Sequence, residues 1–260
     1  MNQQNYFSYE NNMKYMGSSQ FKAFQKCEAA ALAEIKGEYV RPLSDALLIG
    51  SFVDAHFEGT LNIFKVQHPE LFTRKGELKS QYQHAEYMIQ RAERDKMFMK
   101  YMSGEKQKIF TGEIAGVPFK IKVDSYHPTC IVDLKCMKDF ASVWNEEERR
   151  REHFITYWGY DIQGAIYREI VRQNTENTLP FYISALTKEK PEPDMQLYWI
   201  PDNVLDDALS EVKSLAPRFQ KIKNGEITPQ RCEKCAWCRH TKVLNAPVNF
   251  LEECEVYEVE

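Results

Sequence analysis

Gly116-Val117-Pro118-Phe119-Lys120-Ile121-Lys122-Val123-Asp124 and, after a short gap, Ile131-Val132-Asp133-Leu134-Lys135 are the two runs that decide the fold. Apolar and polar residues alternate in both, which is the period of a half-buried strand. Residues i and i+2 of a strand point to one face, so Asp133 and Lys135 project side by side. Asp124 joins them if the two strands pair. Two carboxylates hold a hard divalent cation through oxygen, and a neighbouring ammonium can orient or deprotonate a water.

Outward from this pair the period changes. Lys108 to Gly116 alternates and breaks at glycines, as a strand and tight turn would. Phe181 to Leu186 and Gln196 to Ile200 read as two further strands, and Trp158 to Gln173 as an amphipathic helix before them. Asp202 caps a last long helix to about Lys223. Towards the N-terminus, Ser18-Ser19-Gln20-Phe21 starts a helix that the alanine-rich run carries to Ala33. A second helical stretch lies within Pro42 to Ile63, and a third spans Gln81 to Met102. Helices before and between a block of strands predict an α/β fold, with a central mixed sheet flanked by helices and a helical N-terminal part.

The chain has 260 residues, 43% of them hydrophobic and 28% charged, which suits an ordinary globular protein. We expect one domain over residues 1–245 and an acidic, loosely held tail over 246–260. No run of about 18 apolar residues is present, which speaks against a membrane span. Met1 to Tyr6 lacks the basic-then-apolar pattern of a secretory leader, so a cytoplasmic location is expected. Net charge is −4, yet Ala216 to Lys242 holds seven Lys or Arg against two Glu. That stretch is either a phosphate-contacting surface or a solvated face.

Further residues gather around the Asp-Lys pair in sequence order. Gly50-Ser51-Phe52-Val53-Asp54-Ala55-His56 sets a histidine in an otherwise apolar helical pattern. Gln163 and Tyr167 share a helical face, with Tyr160 one turn before them. Taken singly, His56 reads as a core histidine, and Gln163 with Tyr167 as a helix–sheet packing pair. Asp124 and Asp133 resist such a reading, because unpaired acids ending apolar strands cost several kcal/mol.

In this order, Gly50…His56, Gly116…Asp124, Asp133-Leu134-Lys135 and Gln163…Tyr167 resemble PD-(D/E)xK nucleases of the RecB type. The likeness is greatest to phage and prophage exonucleases similar to RecE and lambda exonuclease, over residues 15 to 242. The resemblance implies a restriction-endonuclease-like core and hydrolysis of DNA. It implies that His56, Asp124, Asp133 and the Leu134 carbonyl ligate Mg²⁺ or Mn²⁺. Lys135 would orient or activate the attacking water, and Gln163 and Tyr167 would position the scissile strand. Glu113 is a further acid that the resemblance places near the metals. Digestion of duplex ends from 5′ to 3′ in phage or prophage recombination follows from the same likeness. So do a single-strand annealing protein as partner and a homo-oligomeric assembly. A non-catalytic DNA-binding adaptor and an endonuclease of the same fold remain the alternatives.

Cys232, Cys235 and Cys238 place three thiols two residues apart, a spacing that lets them converge on one centre. A fourth ligand would be Cys27, Cys254 or His240. RecB-type relatives with a [4Fe–4S] cluster carry one early cysteine and three late ones, and Cys27 stands at the early place. The resemblance thus implies an iron–sulfur cluster, with zinc as the alternative. Cys130 and Cys136 are read as small buried hydrophobes.

Overall fold

The structure is a computed structural model that describes residues 1–42, 44–146, 148–247 and 249. Cys254 and most of the expected acidic tail over 246–260 lie outside the described residues.

The N-terminal part is helical: α1 (Tyr9–Lys14), α2 (Ser18–Lys26), α3 (Glu28–Lys36), α4 (Asp45–Glu58), α5 (Leu61–Gln67), α6 (Ser80–Glu93) and α7 (Lys96–Tyr101). The sequence pattern predicts a single helix from Ser18 to Ala33, whereas the chain breaks at Cys27. Cys27 is extended there, ending α2 and opening α3. The expected helix from Gln81 to Met102 likewise divides in two. Asp95 caps α7 by accepting from the amides of Met97 and Phe98, which satisfies two donors a helix start leaves open.

Strands β1 (Glu105–Ile114), β2 (Val117–His127) and β3 (Cys130–Met137) form an antiparallel meander. A small hairpin follows, β4 (Val143–Asn145) with β5 (Arg150–Glu152), and then α8 (Phe154–Tyr157) and α9 (Tyr160–Thr175). Strand β6 (Phe181–Thr187) lies parallel to β3, and β7 (Met195–Trp199) runs antiparallel to β6. The mixed sheet has the order β1-β2-β3-β6-β7. The chain then forms α10 (Asp202–Lys223) and α11 (Ala236–His240). This is the α/β arrangement with a central mixed sheet that the sequence pattern predicts, and it agrees with the restriction-endonuclease-like core that the resemblance implies.

Alternation along β3 divides the core. Ile131 packs with Ile162, Ile166 and Ile170 of α9 on one face of the sheet. Val132 and Leu134 pack with Phe52, Val53 and Met88 of α4 and α6 on the other. Each such side chain contributes about 1.5–3 kcal/mol by burial. Gly164 lets α9 lie close to the sheet, because a Cβ there would come within 2.6 Å of the Phe181 ring. No helix among the described residues is long and apolar enough to cross a membrane.

Three of the seven basic side chains from Ala216 to Lys242 are engaged within the fold. Arg218 forms an ion pair with Glu28, Arg231 with Glu233, and Lys223 is buried against the Tyr15 carbonyl.

Candidate active site and cysteine centre

The β2–β3 ladder runs from His127 and Cys130 to Ser125 and Val132. One step further the strands part, and Asp124 and Asp133 stand across the opening. The Leu134 amide, left without a ladder partner, donates to Asp124 Oδ2 at 2.9 Å. Gln107 Nε2 donates to Asp124 Oδ1 at 3.2 Å. Gln107 takes a positive φ of 52°, and the β1–β2 register continues unshifted on either side of it, from Lys106 with Ser125 to Lys108 with Val123.

Asp133 is buried, and its Oδ1 accepts from Gln163 Nε2 at 2.6 Å. Its Oδ2 faces the Lys135 ammonium as an ion pair without hydrogen-bond alignment, and it accepts no hydrogen bond from another group. Lys135 Nζ also donates to the Leu134 carbonyl at 3.3 Å and lies 5.3 Å from the Tyr160 ring centroid. Burial pushes the Asp133 carboxyl up, and the nearby Asp124 outweighs part of the opposing effect of Lys135. At Lys135 burial acts downward, but Asp133 and Asp124 together hold the ammonium above its ordinary range. The pair is therefore unequal, because the ammonium meets two carboxylates and the buried carboxylate meets a second anion.

Helix α4 supplies a third acid. Asp54 lines a small cavity with Asp124, Glu58 and Gln107, and also the main cleft beside Lys135. Burial raises its carboxyl well above the ordinary range, and the charge of Asp124 adds to that. Glu58 is raised too, by burial and then by Asp124.

His56 does not join this group, which corrects its expected place as a ligand. Its Nε2 bonds Glu93 Oε1 at 2.9 Å, and its ring meets Phe57 edge-on. Helix geometry explains the difference. From Gly50, whose Cα faces Cys136 of β3, residue 54 is rotated by only about 40° and residue 56 by about 240°. Gly50, Asp54 and Glu58 recur every four residues, a signal present in the sequence. Glu113 is also remote: it pairs with Pro118 at the β1–β2 turn, six residues along β2 from Asp124.

Gln163 and Tyr167 do face the sheet. The Gln163 amide is engaged by Asp133, and the Tyr167 hydroxyl donates to the Lys122 carbonyl at 3.1 Å. Both are buried, so they hold β3 and β2 in place. Lys22 of α2 was not anticipated. Its Nζ lies 5.2 Å from the Tyr160 ring centroid and donates to the Trp158 carbonyl at 3.3 Å. Burial, and then the charge of Lys135, lower its pKa to about 8.

These residues suit a divalent cation. Asp54, Asp124 and Asp133 concentrate negative charge around one ammonium, and the buried Gln107 Oε1 lacks a hydrogen-bond donor. Such hard oxygen donors are those Mg²⁺ and Mn²⁺ select.

A second centre lies at Cys27, Cys232, Cys235 and Cys238, whose sulfurs all fall within 4.8 Å of one another. Cys27 Sγ is 3.6 Å from Cys238 Sγ and 3.8 Å from Cys235 Sγ, and Cys232 Sγ is 4.0 Å from Cys238 Sγ. The Cys235 and Cys238 amides donate to the sulfurs of Cys232 and Cys235 at 3.3 and 3.4 Å. At Cys232 burial raises the thiol, but the amides of Cys235 and Lys234 outweigh it and lower its pKa to about 6. The break at Cys27 is what brings this early thiol to the late three. Glu28 fastens the same junction, accepting from Arg218 and from the Gln230 amide at 2.7 Å. His240 is not one of the converging ligands. Cys130 and Cys136 pack at the edge of the α4–α6 core.

Residues 17–241 match the family described as a PDDEXK-like domain of unknown function, DUF3799. A crystal structure of a Eubacterium rectale protein provisionally called an exonuclease is similar, with 46% identity, a TM-score of 0.93 and 98% of each chain covered. A solved structure of SSO0001 aligns at 10% identity and a TM-score of 0.31, over 87% of this chain and 96% of that one, too low to inform the comparison. No curated protein matches the sequence.

Proposed function

Since this chain belongs to the PDDEXK-like family DUF3799, we propose that it is a metal-dependent nuclease that hydrolyses DNA from its ends. The observation that carries this reading is the placement of Asp54 and Asp124 on one small cavity beside Lys135, itself ion-paired to the buried Asp133, where β2 and β3 part. The similarity to the Eubacterium rectale protein supports the exonuclease branch. Digestion from 5′ to 3′ on duplex ends, a recombination role beside a single-strand annealing protein, and an oligomeric assembly rest on the resemblance of the motifs alone. Residues 1–245 act as one domain in this reading.

Asp54, Asp124, Asp133 and the Leu134 carbonyl would hold Mg²⁺ or Mn²⁺. When bound, the cation polarises the phosphoryl oxygen and acidifies a water. The protein's own groups do the rest. Gln163 fixes the rotamer of Asp133, and Gln107 and the Leu134 amide fix Asp124. Lys135, held by Asp133 over the Tyr160 ring, presents an ammonium to the attacking water and to the charge that develops on the phosphate.

The four thiols are read as a structural zinc site. Zn–S bonds of about 2.3 Å in a tetrahedron set sulfurs about 3.8 Å apart, which the spacings of 3.6, 3.8 and 4.0 Å suit. An iron–sulfur cube interposes several metal ions and needs its ligand sulfurs wider apart. The spacing thus supports zinc over the cluster. Such an ion would tie the α2–α3 junction to the C-terminal loop.

The test is to incubate end-labelled linear duplex and covalently closed circular duplex with the protein and Mg²⁺. The reading expects loss of the linear substrate only. Digestion of both would make it an endonuclease, and digestion of neither would reject a nuclease.

A further inference from the structure

A cleft of 860 Å³ opens directly onto Lys135 and Asp54. Its walls carry two large, exposed aromatic side chains, Trp144 of β4 and Trp158 after α8, which are 46% and 43% exposed. Exposed tryptophan on a monomer's surface leaves apolar area in water, and two of them beside one acid cluster call for an occupant. Each has a defined place in the backbone. Trp144 stands opposite Arg151 in the β4–β5 hairpin, and Arg151 Nη1 donates to the Ser142 carbonyl at 3.0 Å. Trp158 ends α8, and the left-handed Gly159, with φ 62°, turns the chain into α9 directly behind it. A side chain at position 159 would meet Lys22 at 2.8 Å.

Cations accompany the rings. Lys22, Lys26 and Arg41 line the trough that adjoins Trp158 and Tyr160. Lys26 Nζ lies 5.6 Å from the Trp158 ring centroid. Arg151 and Lys188 lie on the cleft's other walls. Aromatic faces interleaved with ammonium and guanidinium groups are what an unpaired nucleic-acid strand needs: a platform for each base and a charge for each phosphate. A cleft of 860 Å³ that carries separate aromatic faces suits the bases of an unpaired strand, because paired bases in a duplex are stacked on one another and present no free face to a tryptophan.

We propose that Trp144 and Trp158 form a stacking clamp for an unpaired DNA strand, with Lys22 and Lys26 on its phosphates, and that this clamp delivers the strand to Lys135. The inference rests on the nuclease reading and extends it to the form in which the substrate enters: a single-stranded end, or the strand peeled from a duplex end. The β4–β5 hairpin and the turn at Gly159 are then the two jaws of the clamp.

The experiment reads binding apart from cleavage. In an Asp133→Asn background, fluorescence anisotropy with a labelled oligothymidine measures the dissociation constant for added Trp144→Ala, Trp158→Ala and Trp199→Ala substitutions. Trp199 is 56% exposed on the edge strand β7, outside the cleft, and controls for loss of a surface tryptophan. Each clamp variant should weaken binding between about fivefold and a hundredfold, as loss of one stacked base does. Trp158→Phe should restore most of it, and Trp199→Ala should stay within twofold. Lys22→Gln should flatten the salt dependence of binding. Equal binding by both clamp variants and the parent would overturn the proposal. So would a blunt, hairpin-closed duplex that competes as well as the oligothymidine. Failure of the nuclease reading would register separately, as no hydrolysis of any DNA by the unsubstituted protein with Mg²⁺.

Discussion

Asp124 and Asp133 face each other one step beyond Ser125 and Val132, at the point where the β2–β3 ladder ends and the Leu134 amide turns to Asp124 Oδ2. The opening in the sheet and the concentration of charge thus have one origin. A carboxylate replaces the missing ladder acceptor, and its neighbour is left buried beside it.

Burial of the Asp133 carboxylate costs free energy that its pair with Lys135 only partly offsets, so neutralising it should not weaken the fold while it removes function. Asp133→Asn is expected to raise the melting temperature or leave it unchanged, and to lower hydrolysis by about 10²-fold or more. Thermal melts and nuclease rates on one preparation check both. A lower melting temperature with retained activity would mean that Asp133 is structural.

Asp54 and His56 separate two readings of α4. Asp54→Asn should reduce metal-dependent hydrolysis by about 10–100-fold. His56→Ala should leave turnover near that of the parent and cost no more than about 1 kcal/mol, since its pair with Glu93 is partly exposed. Rates measured across a Mn²⁺ titration distinguish them, because only the Asp54 variant should need more metal.

Gln163 acts through Asp133. Gln163→Ala is expected to cost about 10–100-fold in turnover with little change in DNA binding. Gln163→Glu should be worse, because it adds a third anion beside Asp133. A substrate titration for each variant would register a change in kcat for a positioning role and a change in KM for a direct contact with DNA.

The cysteine centre should yield about one zinc per chain and a colourless protein. Cys238→Ser should lose that zinc and lower the melting temperature, with the α2–α3 junction opening first. Elemental analysis after anaerobic purification gives the answer. A brown protein holding iron would restore the cluster that the motif order implied.

Lys223 gives the fold a pH dependence. Burial, and then the charge of Lys120, lower its pKa to about 7, while its Nζ bonds the Tyr15 carbonyl at 2.8 Å. In the unfolded chain the ammonium titrates near 10.4. Between these values the unfolded state binds more protons, so stability contributed at this site rises with pH from about 7 towards 10 and is least below 7. Urea melts at pH 6.5 and 9 should differ in that direction, and Lys223→Met should shrink the difference.

Much of this was legible in the sequence because strands reveal themselves by period two. Asp124, Asp133 and Lys135 could be placed on facing strands from alternation alone, and the long helix from Asp202 to Lys223 from its period, although Pro201 and not Asp202 stands at its cap position. His56 was named a ligand by the resemblance of its motif alone, while the four-residue spacing from Gly50 to Asp54 and Glu58 carried the geometry. The break at Cys27 was hidden by an alanine-rich run that favours continuous helix, and tertiary contacts of the thiol override that preference. The β4–β5 hairpin was hidden too, because the run of charge around its turn masks the alternation of its short strands. Gln107 left no local signal, since its left-handed backbone is not marked by a glycine or an asparagine.

The most direct measurement of the central claim is release of nucleotides from end-labelled linear DNA with Mg²⁺ by the parent protein and by Asp133→Asn, side by side. The account predicts progressive loss of label with the parent, none with EDTA, and at most about one hundredth of the rate with Asp133→Asn. Undiminished release by Asp133→Asn, or no release by a folded parent protein with Mg²⁺ or Mn²⁺, would contradict it.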